Sequence, residues 1–327
     1  MPNFFYSQLF VTPEVPNVAL DGQTIIVTGA NVGLGFEAAK HFARMKANKV
    51  ILACRDVNKG NKAASEIARS TGVPNDRLAV WQLDLSSNAS VVQFAERAKG
   101  LDRLDAVVEN AGIVTKQWKM AEGNESTVTV NVVNTILLGE LLLPKLRESA
   151  KMTGRDGRLV FVGSEVYMWA KFQEKASDKL FAALNDQDKA NMGDRYNVSK
   201  LLLLLGVREL SNRSPVSDQS PVLISILTPG FCKSTIFRDG GLTAKMMAIL
   251  NVLLGRETEV GSRTLVDAAC PVHSRSEHGE FLWNCKSTKP TGYVVSAEGQ
   301  RMQRKFWDEL SAKLDTIAPG ASANVRI

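Results

Sequence analysis

A tyrosine and a lysine four positions apart, Tyr196 and Lys200, have types and a spacing that suit proton transfer. On a helix, positions i and i+4 lie on one face, so both side chains would reach one site. A free tyrosine, with a pKa near about 10, exchanges protons poorly at neutral pH, whereas a nearby ammonium lowers that pKa. The pair predicts a general acid for carbonyl reduction and a general base for alcohol oxidation. The alternative is a tyrosine packed beside a solvated lysine.

A glycine-rich segment, Thr28–Gly35 (TGANVGLG), joins a predicted strand to a predicted helix. Its glycines permit a tight turn and a close approach of the backbone to phosphate. The start of the helix offers N–H groups and the positive end of the helix dipole. A glycine turn can also simply connect two elements, but here a second predicted strand follows the helix. The arrangement favours a dinucleotide-binding loop.

Short apolar strands alternate with helices along most of the chain. The predicted strands are Thr24–Thr28, Val50–Cys54, Leu78–Leu83, Asp105–Val108, Arg158–Val162 and Val222–Leu227. The predicted helices are Phe36–Met45, Asn58–Ser70, one that ends near Ala98, Glu125–Glu148 with Pro144 as a kink or an end, and Asp194–Ser211. This alternation is typical of a parallel sheet covered by helices on both faces. We expect an α/β fold, a doubly wound parallel sheet (Rossmann fold), in a single domain with a C-terminal extension.

The composition is that of a folded protein in a reducing compartment. The chain has 327 residues, 44% hydrophobic and 23% charged, which argues against a disordered, collagen-like or coiled-coil protein. The four cysteines have neither CxxC pairs nor paired-histidine spacing, so we expect no metal site and no disulfide scaffold. The net charge of +6 is dispersed along the chain, so no nucleic-acid partner is expected.

No membrane-spanning segment or secretory signal is expected. The most apolar runs, Ile136–Leu143 and Leu201–Val207, are shorter than the roughly 20 residues of a membrane span. The N-terminus has neither a basic region nor a sustained apolar stretch. We therefore expect a cytoplasmic protein. Residues 1–20 are expected to form an arm that packs on the body, on a partner or, less favoured, on a membrane surface through Phe4, Phe5, Tyr6, Leu9 and Phe10.

Thr28–Gly35 matches TGxxxGxG, the glycine signature of the short-chain dehydrogenase/reductase family, and the chain resembles that family motif by motif from Gly22 to Thr235. The resemblance implies that Tyr196, Lys200, Ser164 and Asn131 are the catalytic residues. Ser164 would hydrogen-bond the substrate carbonyl, and Asn131 would hold a water in the proton relay, with Asn134 less well placed. Lys200 would lower the pKa of Tyr196 and bind the nicotinamide ribose.

The resemblance also implies a nicotinamide cofactor. Its expected contacts are Gly29, Asn31, Gly33, Leu34, Gly35, Arg55, Asp84, Leu85, Asn110, Ala111, Gly112, Tyr196, Lys200, Pro229, Gly230 and Ser234, with Thr235 as the neighbouring alternative. Cys54 stands where NAD-preferring relatives have an acid, and Arg55 follows it, a pattern similar to that of NADP-preferring members. NADP(H) is the expected cofactor, and a contact from Asp56 to the ribose is the alternative. Glu109 stands where many relatives have asparagine, and the sequence alone does not explain this difference.

Two segments bear on the substrate. An insertion at residues 165–193 carries aromatic side chains that either pack among themselves or line an apolar pocket. Residues 231–256 stand where the family has its substrate lid, with Gly240 and Gly241 as a hinge; the alternative is a helix packed on the body or on a second subunit. The whole pattern resembles retinol-dehydrogenase-like members and biosynthetic reductases of filamentous-fungal natural-product pathways.

These features predict an NADPH-dependent ketoreductase, reversible as an alcohol dehydrogenase, for a bulky apolar ketone or alcohol in secondary metabolism. Relatives commonly pair through their two long helices, here Glu125–Glu148 and Asp194–Ser211, so a homodimer is open. A redox-neutral isomerase or cyclase on the same scaffold is the alternative, and a cofactor-sensing regulatory protein is less favoured. The intact Ser164, Tyr196 and Lys200 favour redox chemistry over both.

Overall fold

A computed structural model describes residues 4–233 and 255–326. An eight-stranded sheet forms the centre of this described part. Its strands are β1 (Thr24–Thr28), β2 (Lys49–Cys54), β3 (Leu78–Gln82), β4 (Ala106–Glu109), β5 (Gly157–Val162), β6 (Val222–Thr228), β7 (Phe281–Trp283) and β8 (Lys286–Thr288). They lie in the order β8-β7-β6-β5-β4-β1-β2-β3, and within this described sheet only β8 is antiparallel to its neighbour. The strand order reverses between β1 and β4, where such sheets bind ligands.

Helices cover both faces of the sheet. They are α1 (Phe4–Phe10), α2 (Gly33–Arg44), α3 (Val57–Thr71), α4 (Asn88–Lys99), α5 (Ser126–Thr153), α6 (Leu180–Leu184), α7 (Arg195–Arg213), α8 (Thr258–Ala269) and α9 (Ala297–Ile317). Successive strand residues point to opposite faces. Ile25 and Val27 therefore join the core under α2, α3 and α8, whereas Ile26 joins the core under α4, α5, α7 and α9. The predicted doubly wound α/β fold is confirmed.

Several boundaries differ from the expectation. Helix α2 begins at Gly33 rather than at residue 36, because the loop glycines form its first turn. Of the two expectations for Pro144, a kink or an end, the end is wrong: α5 continues to Thr153 although proline cannot donate a backbone hydrogen bond. The surrounding core outweighs the lost hydrogen bond, since residues 134–147 are all buried or half-buried. Strands β7 and β8 were not expected, because three residues carry too little pattern.

Helix α5 is apolar along most of its length. Among the described residues it is the one helix long and apolar enough to cross a membrane, with a mean hydropathy of 1.5. Its apolar stretch is wholly buried inside the protein. A helix packed in the centre of a doubly wound fold can be equally long and apolar, and α5 packs against the sheet and other helices of this chain.

The C-terminal region covers α5 and α7. A Cβ atom at Gly206 of α7 would lie 2.5 Å from Ile136 Cδ1 and 3.2 Å from Phe306 Cε1, so α5, α7 and α9 meet closely there. Arg147 of α5 donates to the carbonyl of Asn324, 2.5 Å away. The two helices considered for dimerisation are therefore covered by this chain's own residues.

Candidate active site

A cavity of about 1280 Å³ opens at the carboxyl ends of the central strands. Most of the predicted site residues line it: Gly29, Asn31, Gly33, Leu34, Arg55, Asp84, Leu85, Asn110, Ala111, Gly112, Ser164, Tyr196, Lys200, Pro229 and Gly230. Gly35 and Asn131 lie behind its wall rather than on it. Ser234 and Thr235 lie outside the described residues, as does most of the predicted lid at 231–256.

The loop after β1 forms a backbone cradle at the start of α2. Gly29 and Gly33 have φ of +66° and +65°, a region that favours glycine. No side chain among the described residues caps this helix at Val32. The first-turn N–H groups of a helix lack partners within the helix, and here the cavity runs past Asn31–Leu34. The residues present fit a pyrophosphate at this position.

The loops after β1 and β4 are fastened to each other. Thr28 Oγ1 accepts hydrogen bonds from the backbone N–H groups of Asn110 and Ala111, both at 2.9 Å. Asn110 Nδ2 donates to the Thr28 carbonyl at 2.9 Å. A Cβ atom at Gly35 would come within 2.6 Å of that same Nδ2 atom. Gly35 therefore permits close packing between the two loops rather than lining the cavity itself.

Asp84 and Leu85 are held in place after β3. Asp84 Oδ1 accepts from the backbone N–H of Ser86 at 2.9 Å and from its hydroxyl at 2.7 Å. The Leu85 carbonyl accepts from Asn134 Nδ2 at 2.9 Å. These bonds fix the turn that forms the adenine-side wall of the predicted nucleotide site.

The end of β2 carries the side chains relevant to cofactor choice. Cys54 is buried, and burial raises the pKa of its thiol to about 11, so this position carries no negative charge at neutral pH. Arg55, Asp56 and Lys59 line the cavity. Asp56 Oδ1 accepts from the Lys59 backbone N–H at 3.0 Å and caps α3, and this bond lowers the pKa of Asp56. Two cations thus stand beside one carboxylate that is engaged in helix capping.

Tyr196 and Lys200 project from the first turns of α7. Lys200 Nζ donates to the Val162 carbonyl at 2.7 Å and lies 5.8 Å from the centre of the Tyr196 ring. Burial lowers the pKa of Lys200 to about 8. Burial, together with the nearby Glu165 carboxyl, raises the pKa of Tyr196 above its ordinary value. Both effects shift the pKa of Tyr196 in the opposite direction to the lowering expected from Lys200.

Ser164 begins the short 3-10 helix Glu165–Trp169. Its Oγ accepts from the Val166 backbone N–H at 3.4 Å, a long bond. The next residue, Glu165, is buried, lines the cavity and accepts a hydrogen bond from Thr228 Oγ1. Burial raises the pKa of Glu165. Glu165 could not be singled out from the sequence, since a single acid after a strand gives no signal of burial.

Asn131 lies in a π-helical turn of α5, Thr129–Val133. Its Oδ1 accepts from the Ile113 N–H at 2.8 Å, and its Nδ2 donates to the Ile113 carbonyl at 2.9 Å and to Ser199 Oγ at 3.1 Å. Asn131 thus ties the segment after β4 to α7, directly behind the tyrosine–lysine pair. π-helical turns are frequent at functional sites.

The far end of the cavity is apolar. Of the aromatic residues in the insertion, Trp169 lines the cavity, whereas Tyr167, Phe172 and Phe181 are buried in the core. Both readings of the insertion therefore hold, for different residues. Phe4 and Phe5 of α1 line the cavity as well. Their apolar character alone does not indicate that they border the cavity.

Comparisons with known proteins agree with this architecture. A family model described as short chain dehydrogenase matches residues 23–173. The short chain dehydrogenase/reductase dmxR8 of Cryptosporiopsis sp. is 39% identical over 98% of this chain and 99% of its own length. The short-chain dehydrogenase anuD of Penicillium roqueforti is 38% identical over 97% and 84%, and the short chain dehydrogenase atnD of Emericella nidulans is 41% identical over 85% and 89%. The chain belongs to the short-chain dehydrogenase/reductase family of oxidoreductases.

Solved structures share the fold. An uncharacterised protein of Mycobacterium paratuberculosis is 26% identical with a TM-score of 0.65, over 93% of this chain and 96% of its own. A short chain dehydrogenase of Shigella flexneri is 24% identical with a TM-score of 0.58, over 85% and 97%. Members of this family use NAD or NADP, so the cavity belongs to a nicotinamide-dependent class of enzyme.

Proposed function

We propose that this protein is an NADPH-dependent ketoreductase, reversible as an alcohol dehydrogenase, that acts on a bulky apolar ketone or secondary alcohol. One observation carries the proposal: Ser164, Tyr196 and Lys200 line the same cavity as the glycine cradle at the start of α2. We also propose a cytoplasmic location and a role in secondary metabolism, and the similarity to fungal short chain dehydrogenases supports that role. We further propose an N-terminal arm at 1–20 and a single domain at 21–327, with the insertion at 165–193 and a substrate lid at 231–256.

The described residues fit NADP(H), which supplies or accepts a hydride when bound. The N–H groups of Gly33 and Leu34 would hold the pyrophosphate. Asp84 and Leu85 would contact the adenine, and Asn110–Gly112, Pro229 and Gly230 would line the nicotinamide end, with Ser234 or Thr235 adding a contact there. Arg55 and Lys59 would neutralise a phosphate on the adenosine ribose, which NAD lacks.

The Tyr196 hydroxyl would donate its proton to the substrate oxygen, and the Ser164 hydroxyl would hydrogen-bond the same oxygen. Because burial raises the pKa of Tyr196, the hydroxyl stays protonated at neutral pH, as reduction requires. The phenolate that forms needs a cation, and Lys200 is the nearest candidate on the same helix face. Asn131 would hold the water through which the proton is replaced.

Tyr196→Phe is the decisive variant for this function. We expect it to lower kcat with NADPH and a panel of bulky apolar ketones by about 100-fold or more, because the phenyl ring has no proton to donate. The measurement is NADPH consumption by absorbance, together with nucleotide affinity by fluorescence, which we expect to fall far less than kcat.

Tyr293→Phe is the matched control, since it removes a buried hydroxyl that has no hydrogen-bond partner among the described residues. Its activity should equal that of the wild type. Undiminished turnover in Tyr196→Phe would refute the proposal. Product formed by the wild type without net NADPH consumption would favour the redox-neutral isomerase or cyclase instead.

Arg55→Ala tests the choice of cofactor. We expect NADPH to bind about tenfold more weakly and NADH to be affected little, because only NADPH carries the ribose phosphate that a cation attracts. Fluorescence titrations with both nucleotides measure this. Arg69→Ala, an exposed arginine on α3 that does not line the cavity, is the control. Tighter binding of NADH than of NADPH by the wild type would instead assign the ribose contact to Asp56.

A further inference from the structure

We infer that helix α1 forms the substrate-side wall of the cavity, and that Phe4 and Phe5 on it select carbonyl substrates with a flat aromatic ring system. The inference rests on the proposed function and names a substrate class for it. Helix α1 lies outside residues 23–173, the part matched by the family model. The wall is thus supplied by a segment beyond the matched part of the chain.

Helix α1 has an unusual burial pattern. The polar residues Ser7 and Gln8 are only 2% and 7% exposed, whereas Tyr6 and Phe10 are exposed. A helix that was held only by apolar packing would bury the opposite side. Polar contacts therefore set its orientation, and that orientation places Phe4 and Phe5 at the cavity.

The polar contacts join α1 to the cavity wall after β6. Gln8 Nε2 donates to the Phe231 carbonyl at 2.5 Å, and Gln8 Oε1 accepts from the Phe231 N–H at 3.1 Å. The two bonds pair one side chain with both backbone groups of a residue that itself lines the cavity. A Cβ atom at Gly230 would come within 3.0 Å of Gln8 Oε1, so the glycine leaves room for this contact.

A second set of contacts fixes the same helix to the sheet. Ser7 Oγ accepts from Trp283 Nε1 at 2.8 Å and from Asn284 Nδ2 at 2.7 Å. The Ser7 carbonyl accepts from Arg256, which also donates to Val11 O at 3.0 Å. Helix α1 is consequently hydrogen-bonded to Phe231 and to Arg256, the first and the last residue of the 231–256 segment.

The side chains on this wall are aromatic and arranged edge to face. The Phe4 ring lies 6.1 Å from Trp169 at an interplanar angle of 74°, and 5.4 Å from Phe5 at 77°. Phe5 and Trp169 are 59% and 55% exposed, large areas for aromatic side chains that border a cavity. A flat fused-ring ligand would cover these rings and make stacked or edge contacts with them, which a small aliphatic ketone cannot do.

The test is equilibrium dialysis of the NADP⁺-saturated protein with 9-fluorenone, a flat tricyclic ketone, and with cyclohexanone. We expect the wild type to bind 9-fluorenone the more tightly. Phe4→Ala and Phe5→Ala should each weaken 9-fluorenone binding about tenfold. Gln8→Ala, which removes both bonds to Phe231, should weaken it similarly. Tyr6→Ala and Phe10→Ala change aromatic residues of the same helix that do not line the cavity, and should leave it within about twofold.

Phe4→Leu and Phe5→Leu keep apolar bulk but lose the ring, so they separate a loss of aromatic contact from a loosened helix; both should weaken 9-fluorenone binding as well. Equal binding of 9-fluorenone by the wild type and the Phe4 and Phe5 variants would overturn the inference. The inference would also be overturned if the wild type bound 9-fluorenone no more tightly than it binds cyclohexanone. Dialysis needs no turnover, so selective 9-fluorenone binding without NADPH-dependent reduction of any ketone would count against the proposed function alone.

Discussion

Burial decides the protonation of the key side chains in this protein. Their spacing, their position after the fifth strand and the family resemblance together indicate Tyr196 and Lys200, and both line the cavity. Their electrostatics could not be predicted, since they depend on the desolvation of α7 and on Glu165, a neighbour in space. Because the pKa of Lys200 is about 8, its ammonium is only modestly favoured over the neutral amine at neutral pH. A bound anionic ligand would raise this pKa again.

Glu109 stands where many relatives have asparagine, a difference that the sequence alone does not explain. From its burial we predict that the stability of the protein depends on pH. It lies buried at the end of β4, and burial raises its pKa to about 8. In the unfolded chain a glutamate titrates near about 4.3. As pH rises between about 5 and 8, the unfolded state loses this proton first, so the free energy of unfolding falls.

We expect Glu109→Gln to remove this dependence. The stability gain of the variant over the wild type should be about 3–4 kcal/mol larger at pH 8 than at pH 5, because glutamine carries no charge to desolvate. Urea unfolding at the two pH values measures the difference. Glu96→Gln, at an exposed site on α4, is the control and should show none. A stability gain of the same size at both pH values would refute the buried-charge explanation.

At the scale of elements, a buried arginine joins the insertion at residues 165–193 to α7, the helix that carries Tyr196 and Lys200. Arg195 is fully buried, with Nη1 3.0 Å from Glu174 Oε1 and Nε 3.5 Å from Glu125 Oε2. Its Nη2 donates to the Leu184 carbonyl at 3.0 Å. Arg195 directly precedes Tyr196, so the same residue connects the insertion, α5 and the first turn of α7.

Arg195→Met is expected to lower the free energy of unfolding by about 3–5 kcal/mol, because two carboxylates lose their buried partner. Arg213→Met on the same helix breaks a partly exposed pair with Glu209 and should cost less than about 1 kcal/mol. Urea unfolding of both variants provides the comparison. Equal losses would show that Arg195 contributes only an ordinary ion pair.

How well an element was predicted follows from how much local signal it carries. Strands β1 and β5 are runs of apolar and β-branched residues, and their predicted positions agree with the structure to within one residue. The loops that follow them carry the glycine and serine motifs, so the part of the cavity lined by Gly29, Asn31, Gly33, Leu34 and Ser164 could be predicted as well. Helix α1 could not, because its position depends on Gln8 meeting Phe231 across 223 residues of sequence. Contacts between segments so distant leave no periodicity to read.

At the scale of the whole molecule, the C-terminal extension covers the surface of α5 and α7 on which a second subunit would pack. Helix α9 packs Phe306 and Trp307 into the core that α7 shares. Residues 194–211 of α7 and 134–147 of α5 are all buried or half-buried within the described chain. A stable dimer through these helices would need about 800 Å² of free surface per subunit.

We therefore predict a monomer. Sedimentation velocity should give a mass of 35.7 kDa that does not change with protein concentration. Phe306→Ala is the informative variant, since Phe306 Cε1 lies against Gly206 of α7 and its loss would loosen α9 and uncover apolar surface. We expect this variant to unfold more easily, by about 3–5 kcal/mol, and to associate with itself as concentration rises. A wild-type species of twice the monomer mass would contradict the prediction, because the covered helices leave a dimer no route through α5 and α7.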